Sequence, residues 1–207
     1  MKQATFELLT LNDIFDEGKR QFSVPDYQRG YSWEKEQRED LIADIKQIQH
    51  QRHRHFTGTI VASRQGDSNC FDVVDGQQRI TTLVLLLASI VRSARQQSVE
   101  ELAGVAIDKI EACYIHSGSA SGNTSYQLRL GEIRDPLFHE VLKHGRVMCQ
   151  KIENKTDQNI VDAASEFDDW LKDMSIDEIN GILSGITKKL GFLFYAPEQD
   201  AEIGLMF

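Results

Sequence analysis

The sequence predicts an α/β protein: an α+β domain followed by a mainly helical region. Three observations carry that prediction. Phe71-Asp72-Val73-Val74 is a short β-branched run of strand character, and it closes on the tight-turn pair Asp75-Gly76. An unbroken apolar helix then follows, from about Ile80 to Val91. The later sequence is dominated by apolar stripes at helical spacing, above all Ile160, Ala163, Ala164, Phe167, Trp170 and Leu171. The chain has 207 residues, enough to bury a sizeable core as one domain or one and a half. The expected division is 1–97 for the first domain and 98–207 for the helical region.

In chain order, Phe6, Leu8, Leu9, Leu11, Ile14 and Phe15 suggest a short strand or turn leading into a small helix, ended by Asp16-Glu17-Gly18. Phe22-Ser23-Val24-Pro25 is extended, because the residue before proline is pushed towards β geometry. The aperiodic stretch Asp26-Tyr27-Gln28-Arg29-Gly30-Tyr31-Ser32-Trp33 is dense in residues that binding loops use. Its aromatics can equally plug the core, whereas Arg29, if buried, requires an anionic partner. Glu34 to about Gln51 reads as an amphipathic helix on Leu41, Ile45 and Ile48, with Ile42 beside them, closed by the basic run His50 to His55. No carboxylate or cysteine completes a metal site among those histidines, so a helix end or a basic patch is the reading. Phe56–Ala62 is a second strand, joined to Phe71–Val74 by the polar hairpin Arg64–Asn69. Arg92, Arg95, Gln96 and Gln97 mark the exit of the apolar helix to solvent.

Beyond that, Glu100–Tyr114 is expected as a helix, Ser117–Ser125 as a flexible loop and Tyr126–Leu130 as a short strand. Asp135-Pro136 reads as an N-cap with proline at the first helical position. Ser175 and Glu178 form a capping box, Gly191 ends the helix that follows, and Phe192–Tyr195 is a strand. The sequence stops within the apolar pattern Ile203-Gly204-Leu205-Met206-Phe207, and the expectation is an N-terminal piece of a longer protein.

Bulk composition narrows the function. A net charge of -9 argues against a uniformly basic nucleic-acid surface but leaves room for a local basic groove. Three dispersed cysteines without a C-x-x-C spacing disfavour disulfide and zinc-cluster scaffolds and fit a reducing cytoplasm. The longest apolar run, Leu83 to Val91, is too short to cross a bilayer, so no membrane partner is expected.

The chemistry concentrates where the strand ends and the helix begins. The first N–H groups of a helix lack internal partners and carry partial positive charge, which suits phosphate. Gly76 allows close backbone approach, Gln77 and Gln78 donate and accept, Arg79 offers a planar fork, and Thr81 and Thr82 add hydroxyls. Strand, Asp-Gly turn and helix also occur in α/β cores without a ligand. The Walker A spacing is absent, and a single glycine does not make a dinucleotide fingerprint.

Two segments carry a resemblance. Pro25-x-Tyr27-Gln28-Arg29-x-Tyr31-x-Trp33 and Asp75-Gly76-Gln77-Gln78-Arg79-x-Thr81-Thr82, with Gly58-Thr59-Ile60 between them, resemble the N-terminal family of GmrSD-type restriction endonucleases. The clear match runs from Leu11 to about Val91. The resemblance implies a ParB/sulfiredoxin-like fold and a role in restriction of modified DNA or in phage defence. It implies a nucleotide turn made of Asp75, Gly76, Gln77, Gln78 and Arg79, faced by Tyr27, Gln28 and Arg29. In that picture Asp75, Gln78 and Arg79 are catalytic, and Asp75 also holds magnesium. Gly76, Gln77, Thr81, Thr82, Gln28 and Arg29 bind the nucleotide. Tyr27, Tyr31 and Arg29 sense a modified DNA backbone. The cofactor is Mg2+ with a nucleoside triphosphate, with GTP, ATP, CTP and UTP not distinguished. The partners are DNA and an HNH-type nuclease domain, carried C-terminally or separately. The alternative is a DNA-binding module that grips a phosphate or phosphorothioate without nucleotide turnover, assisted by Arg52 and Arg54.

Overall fold

The computed structural model describes residues 7–49, 51, 53–118 and 124–197. Expectations for Phe6, His50, Arg52, the Ser119–Asn123 part of the polar loop and Asp200–Phe207 lie outside the described residues. Six strands, numbered in chain order, form one mixed sheet. From edge to edge they are β1 (Glu7–Thr10), β10 (Leu190–Tyr195), β3 (His55–Arg64), β4 (Cys70–Asp75), β2 (Gln21–Ser23) and β9 (Leu128–Arg129). β3 and β4 pair antiparallel through the expected hairpin, while β10 runs parallel to β3 and β2 parallel to β4. Phe22 of β2 sits at the centre of an aromatic cluster, 5.7 Å from Phe71, 5.2 Å from Phe15 and 6.4 Å from Phe194. That cluster ties both outer parts of the sheet to the short helix α1 (Leu11–Phe15).

The long helix α3 (Gln77–Gln96) is buried almost all round, as its apolar sequence requires. Around it pack α4 (Ile107–Tyr114), α5 (Asp135–His144), α6 (Lys155–Leu171) and α7 (Ile176–Ser184). The amphipathic helix α2 (Lys35–Ile48) buries Leu41, Ile45 and Ile48, the expected stripe. Its C-terminal carbonyls are closed by Lys189, whose Nζ donates to Ile48, Gln49 and Gln51 at 3.3, 2.9 and 3.2 Å. The capping box at Ser175 forms as expected, with the Ser175 N–H donating to Glu178 Oε2 at 2.8 Å.

The structure differs from several local expectations. Residues 100–106 do not join the helix that follows. They form a two-stranded hairpin, β5 (Glu101–Leu102) and β6 (Val105–Ala106), because Ala103 and Gly104 both take positive φ, 51° and 76°. Asp135 does not cap α5. It lies inside the first turn, where its carboxylate accepts from Arg129 Nε and the Leu130 N–H, both at 2.7 Å. Gly191 does not end a helix; α7 runs into a π-turn at 185–189, and Gly191 lies within β10 at a register shift. Arg92 does not lead to solvent, since it donates to Leu142 O at 2.6 Å and to Asp168 at 2.7 Å, pinning α5 and α6 to α3. The boundary expected at residue 97 does not divide the sheet, because β10 and β9 come from the later half yet lie beside β3 and β2. The expected strand at Tyr126–Leu130 is split between β9 and β8 (Thr124–Tyr126), the latter paired with β7 (His116–Gly118).

Candidate functional site

β4 ends at Asp75, and the chain turns into α3 through Gly76 at φ 86°. A Cβ on Gly76 would stand 2.6 Å from the Thr59 carbonyl oxygen of β3. The glycine is therefore required by a left-handed turn packed against its neighbouring strand. This differs from the expected reason: the space over Gly76 belongs to β3, and Gly76 is buried. No side chain caps α3, and its first turn carries no acid. The N–H groups of Gln77, Gln78 and Arg79 precede the first intrahelical bond, from Ile80 N to Gly76 O at 3.1 Å, and they carry the positive end of a 20-residue helix.

The two motif segments are bound to each other. Gln28 Nε2 donates to the carbonyls of Val73 and Val74 at 2.6 and 3.3 Å, holding the loop to the end of β4. Gln77 Nε2 donates to Arg29 O at 3.2 Å. Gln78 is buried and engaged at both ends of its amide: Nε2 donates to Gly30 O at 3.1 Å, and Oε1 accepts from the Ser32 N–H at 2.7 Å. Thr82 donates to Gln78 O at 2.7 Å, so its oxygen is left to accept the Tyr31 hydroxyl at 2.8 Å. Tyr31 is only 4% exposed, and burial pushes its hydroxyl pKa up despite its hydrogen bond with Thr82. Tyr31 and Thr82 thus face the interior and hold one another. Tyr27, at 82% exposure, faces solvent.

Behind this loop sits an ion pair that the sequence does not advertise. Arg38 is 3% exposed and grips Glu166 in a two-toothed pair, at 2.8 and 2.6 Å, while its third contact goes to Trp33 O at 2.6 Å. Burial alone would lower the Arg38 pKa, but the Glu166 carboxylate and the Tyr31 hydroxyl together more than offset it and the pKa is raised. The pair spans 128 residues, so no local spacing announces it.

Arg79 is half-buried, and its guanidinium lies over Gly58, where an added Cβ would approach Nε to 2.8 Å. Arg29 is exposed, contrary to the buried setting that would demand a protein partner. Neither donates to an oxygen among the described residues. On the Gln77 flank, Arg29, Gln77, Gln78 and Thr81 line a crevice of about 10 Å3, joined there by Arg134, which sequence reasoning did not single out. Pockets that enclose ligands are typically some hundreds of Å3, on the order of 300 or more. A nucleotide at this turn would therefore lie along the surface, with its phosphates at the helix end. Asp75 is exposed, and its carboxylate accepts no hydrogen bond among the described residues. No group of three or more metal-binding side chains occurs among them either. One carboxylate fits a magnesium ion that arrives on phosphates and takes most of its ligands from them and from water.

Among the described residues no helix is long and apolar enough to cross a membrane. The family model described as GmrSD restriction endonuclease, N-terminal domain, matches residues 11–207. No curated protein matches the chain.

Proposed function

The chain belongs to the family of the GmrSD restriction endonuclease N-terminal domain, and from that premise we propose that it is the nucleotide-binding and nucleotide-hydrolysing regulatory domain of its system. Membership makes it part of a restriction or defence protein and implies DNA and a nuclease domain as partners. The sheet with its helix-opening turn is, in this proposal, of the ParB/sulfiredoxin-like kind. The observation that carries the reading is the uncapped, acid-free start of α3, with Arg79 in its first turn and Asp75 beside it. The N–H groups of Gln77, Gln78 and Arg79 would receive phosphate oxygens, and the Arg79 fork would neutralise them. Asp75 would hold the magnesium that accompanies the triphosphate and orient water. Water adds to the terminal phosphorus as the bond to the bridging oxygen breaks, giving the nucleoside diphosphate and inorganic phosphate. Gln78 acts through the loop it holds and is a positioning residue, as are Thr82 and Tyr31. Thr81, Gln28 and Arg29 shape the flank on which the phosphate chain lies.

A second reading keeps the same turn but gives it a DNA phosphate or phosphorothioate, with exposed Tyr27 and Arg29 as the sensing surface. The 82% exposure of Tyr27 is the observation that favours it. Calorimetry with GTP, ATP, CTP and UTP, with and without magnesium, separates the two. Saturable magnesium-dependent binding that is lost in Arg79→Ala is the expected result. Binding of modified DNA by a protein that takes no nucleotide would replace the first reading with the second.

A further inference from the structure

The arginines of this chain are distributed in a way that extends the site. The protein carries 32 acidic against 23 basic residues, so a surface arginine has carboxylates within easy reach. Outside the site, every described arginine except Arg146 does donate to a protein oxygen. Arg29, Arg79 and Arg134 donate to none among the described residues, and all three border the start of α3. Arg79 lies in the first turn over Gly58, whereas Arg29 and Arg134 line the crevice beside Gln77 and Thr81. Leaving three guanidinium groups unpaired around one positive helix end is electrostatically unfavourable unless an anion joins them.

Arg134 reaches this place because the turn at 131–134 is locked to the motif loop. Gly131 takes φ 86°, and a Cβ there would run into the Asp26 carboxylate, so the two loops pack backbone to side chain. Asp135, next in sequence, holds Arg129 Nε and the Leu130 N–H and so fixes the turn from behind. The neighbouring Arg129 is neutralised by that carboxylate, while Arg134 is half-buried at the crevice and pairs with no carboxylate among the described residues.

We propose that Arg134 is a third cation of the anion site, and that the site therefore takes an extended phosphate chain laid across the α3 N-terminus, not a single phosphate. The inference rests on the nucleotide reading above and adds to it a residue from the helical half of the chain. The crevice is too small for a nucleoside, so Arg29 and Arg134 meet phosphate oxygens and the base lies outside it.

The test uses the full chain and four titrants: orthophosphate, inorganic tripolyphosphate, GTP and ATP, each with magnesium at two salt concentrations. Arg134→Ala should weaken tripolyphosphate and the preferred nucleotide roughly tenfold, the value of one charge-assisted contact. It should flatten the salt dependence and leave orthophosphate nearly unchanged. Arg134→Lys should recover part of the loss, and Arg146→Ala should bind like the parent. Thermal midpoints of the free variants verify that each is folded, and Arg134→Gln provides a second neutral variant. If Arg79→Ala loses binding while both neutral Arg134 variants bind like the parent, the extended-chain inference falls and the nucleotide turn stands. If the parent binds neither tripolyphosphate nor any nucleotide, the nucleotide reading falls and takes the inference with it.

Discussion

Gln78 shows how one side chain can serve a site without facing its ligand. Both ends of its amide are engaged by the backbone of the 30–32 segment, inside the protein. The chemistry available to a glutamine in the sequence is therefore used to fix a loop. His139 is the residue whose charge state the fold controls most visibly. Its ring lies 3.4 Å from that of Tyr126 and parallel to it, and its buried Nε2 has no hydrogen-bond partner among the described residues, the Asp135 carboxylate standing 3.9 Å away. Burial lowers its pKa, opposed by Asp135 and reinforced by Arg129 and His116, the charged and titratable groups that face it. The unfolded chain then binds this proton more readily than the folded one. The stability contributed is complete above the ordinary histidine value of about 6.5 and is lost as pH falls through the lower folded value. The unfolding midpoint in urea should decline as pH drops from 7 to 5, and His139→Gln should remove part of that slope. An unchanged slope in the variant would show that the proton is taken up elsewhere.

At the scale of elements, the start of α3 depends on one glycine. Gly76 is left-handed and packed on the Thr59 carbonyl, so Gly76→Ala adds both a backbone cost and a clash. The left-handed conformation alone costs an alanine roughly 1–2 kcal/mol, and displacing β3 adds to it, so a loss of about 2–3 kcal/mol in urea unfolding is expected. A loss under about 1 kcal/mol would mean that the turn relaxes freely. This element was legible in the sequence because β-branched residues, an Asp-Gly pair and an apolar run stand next to one another. The capping box at Ser175 was legible for the same local reason. The hairpin at 101–106 was not, because positive φ at Ala103 is imposed by tertiary packing, with its N–H held by Asn180 Oδ1 at 2.7 Å. The motif residues were legible as a group, but their division of labour was not. Whether Tyr31 faces out or in, and whether Gln78 meets a ligand or Ser32, depends on the packing of segments 46 to 51 residues apart. Arg38, Glu166 and Arg134 left no signal, since their roles exist only once distant helices meet.

For the whole molecule, the decisive feature is where the last strand goes. β10 enters the sheet between β1 and β3, antiparallel to one and parallel to the other. Without it, β1 loses its neighbour in the sheet and β3 becomes an edge, exposing Ile60 and the partners of Phe192 and Phe194. The same truncation would uncover α3, whose apolar surface is covered by α4, α5, α6 and α7. It would also take away Glu166, the carboxylate that holds Arg38. Net stability is typically only about 5–15 kcal/mol, small against the loss of a central strand and of four helices covering α3. A fragment of residues 1–97 should therefore fail to give dispersed amide resonances or a cooperative thermal transition, while the full chain gives both. Independent folding of that fragment would mean that the two motif segments form a self-sufficient unit, and that Glu166, Arg134 and β10 were added to a site already complete.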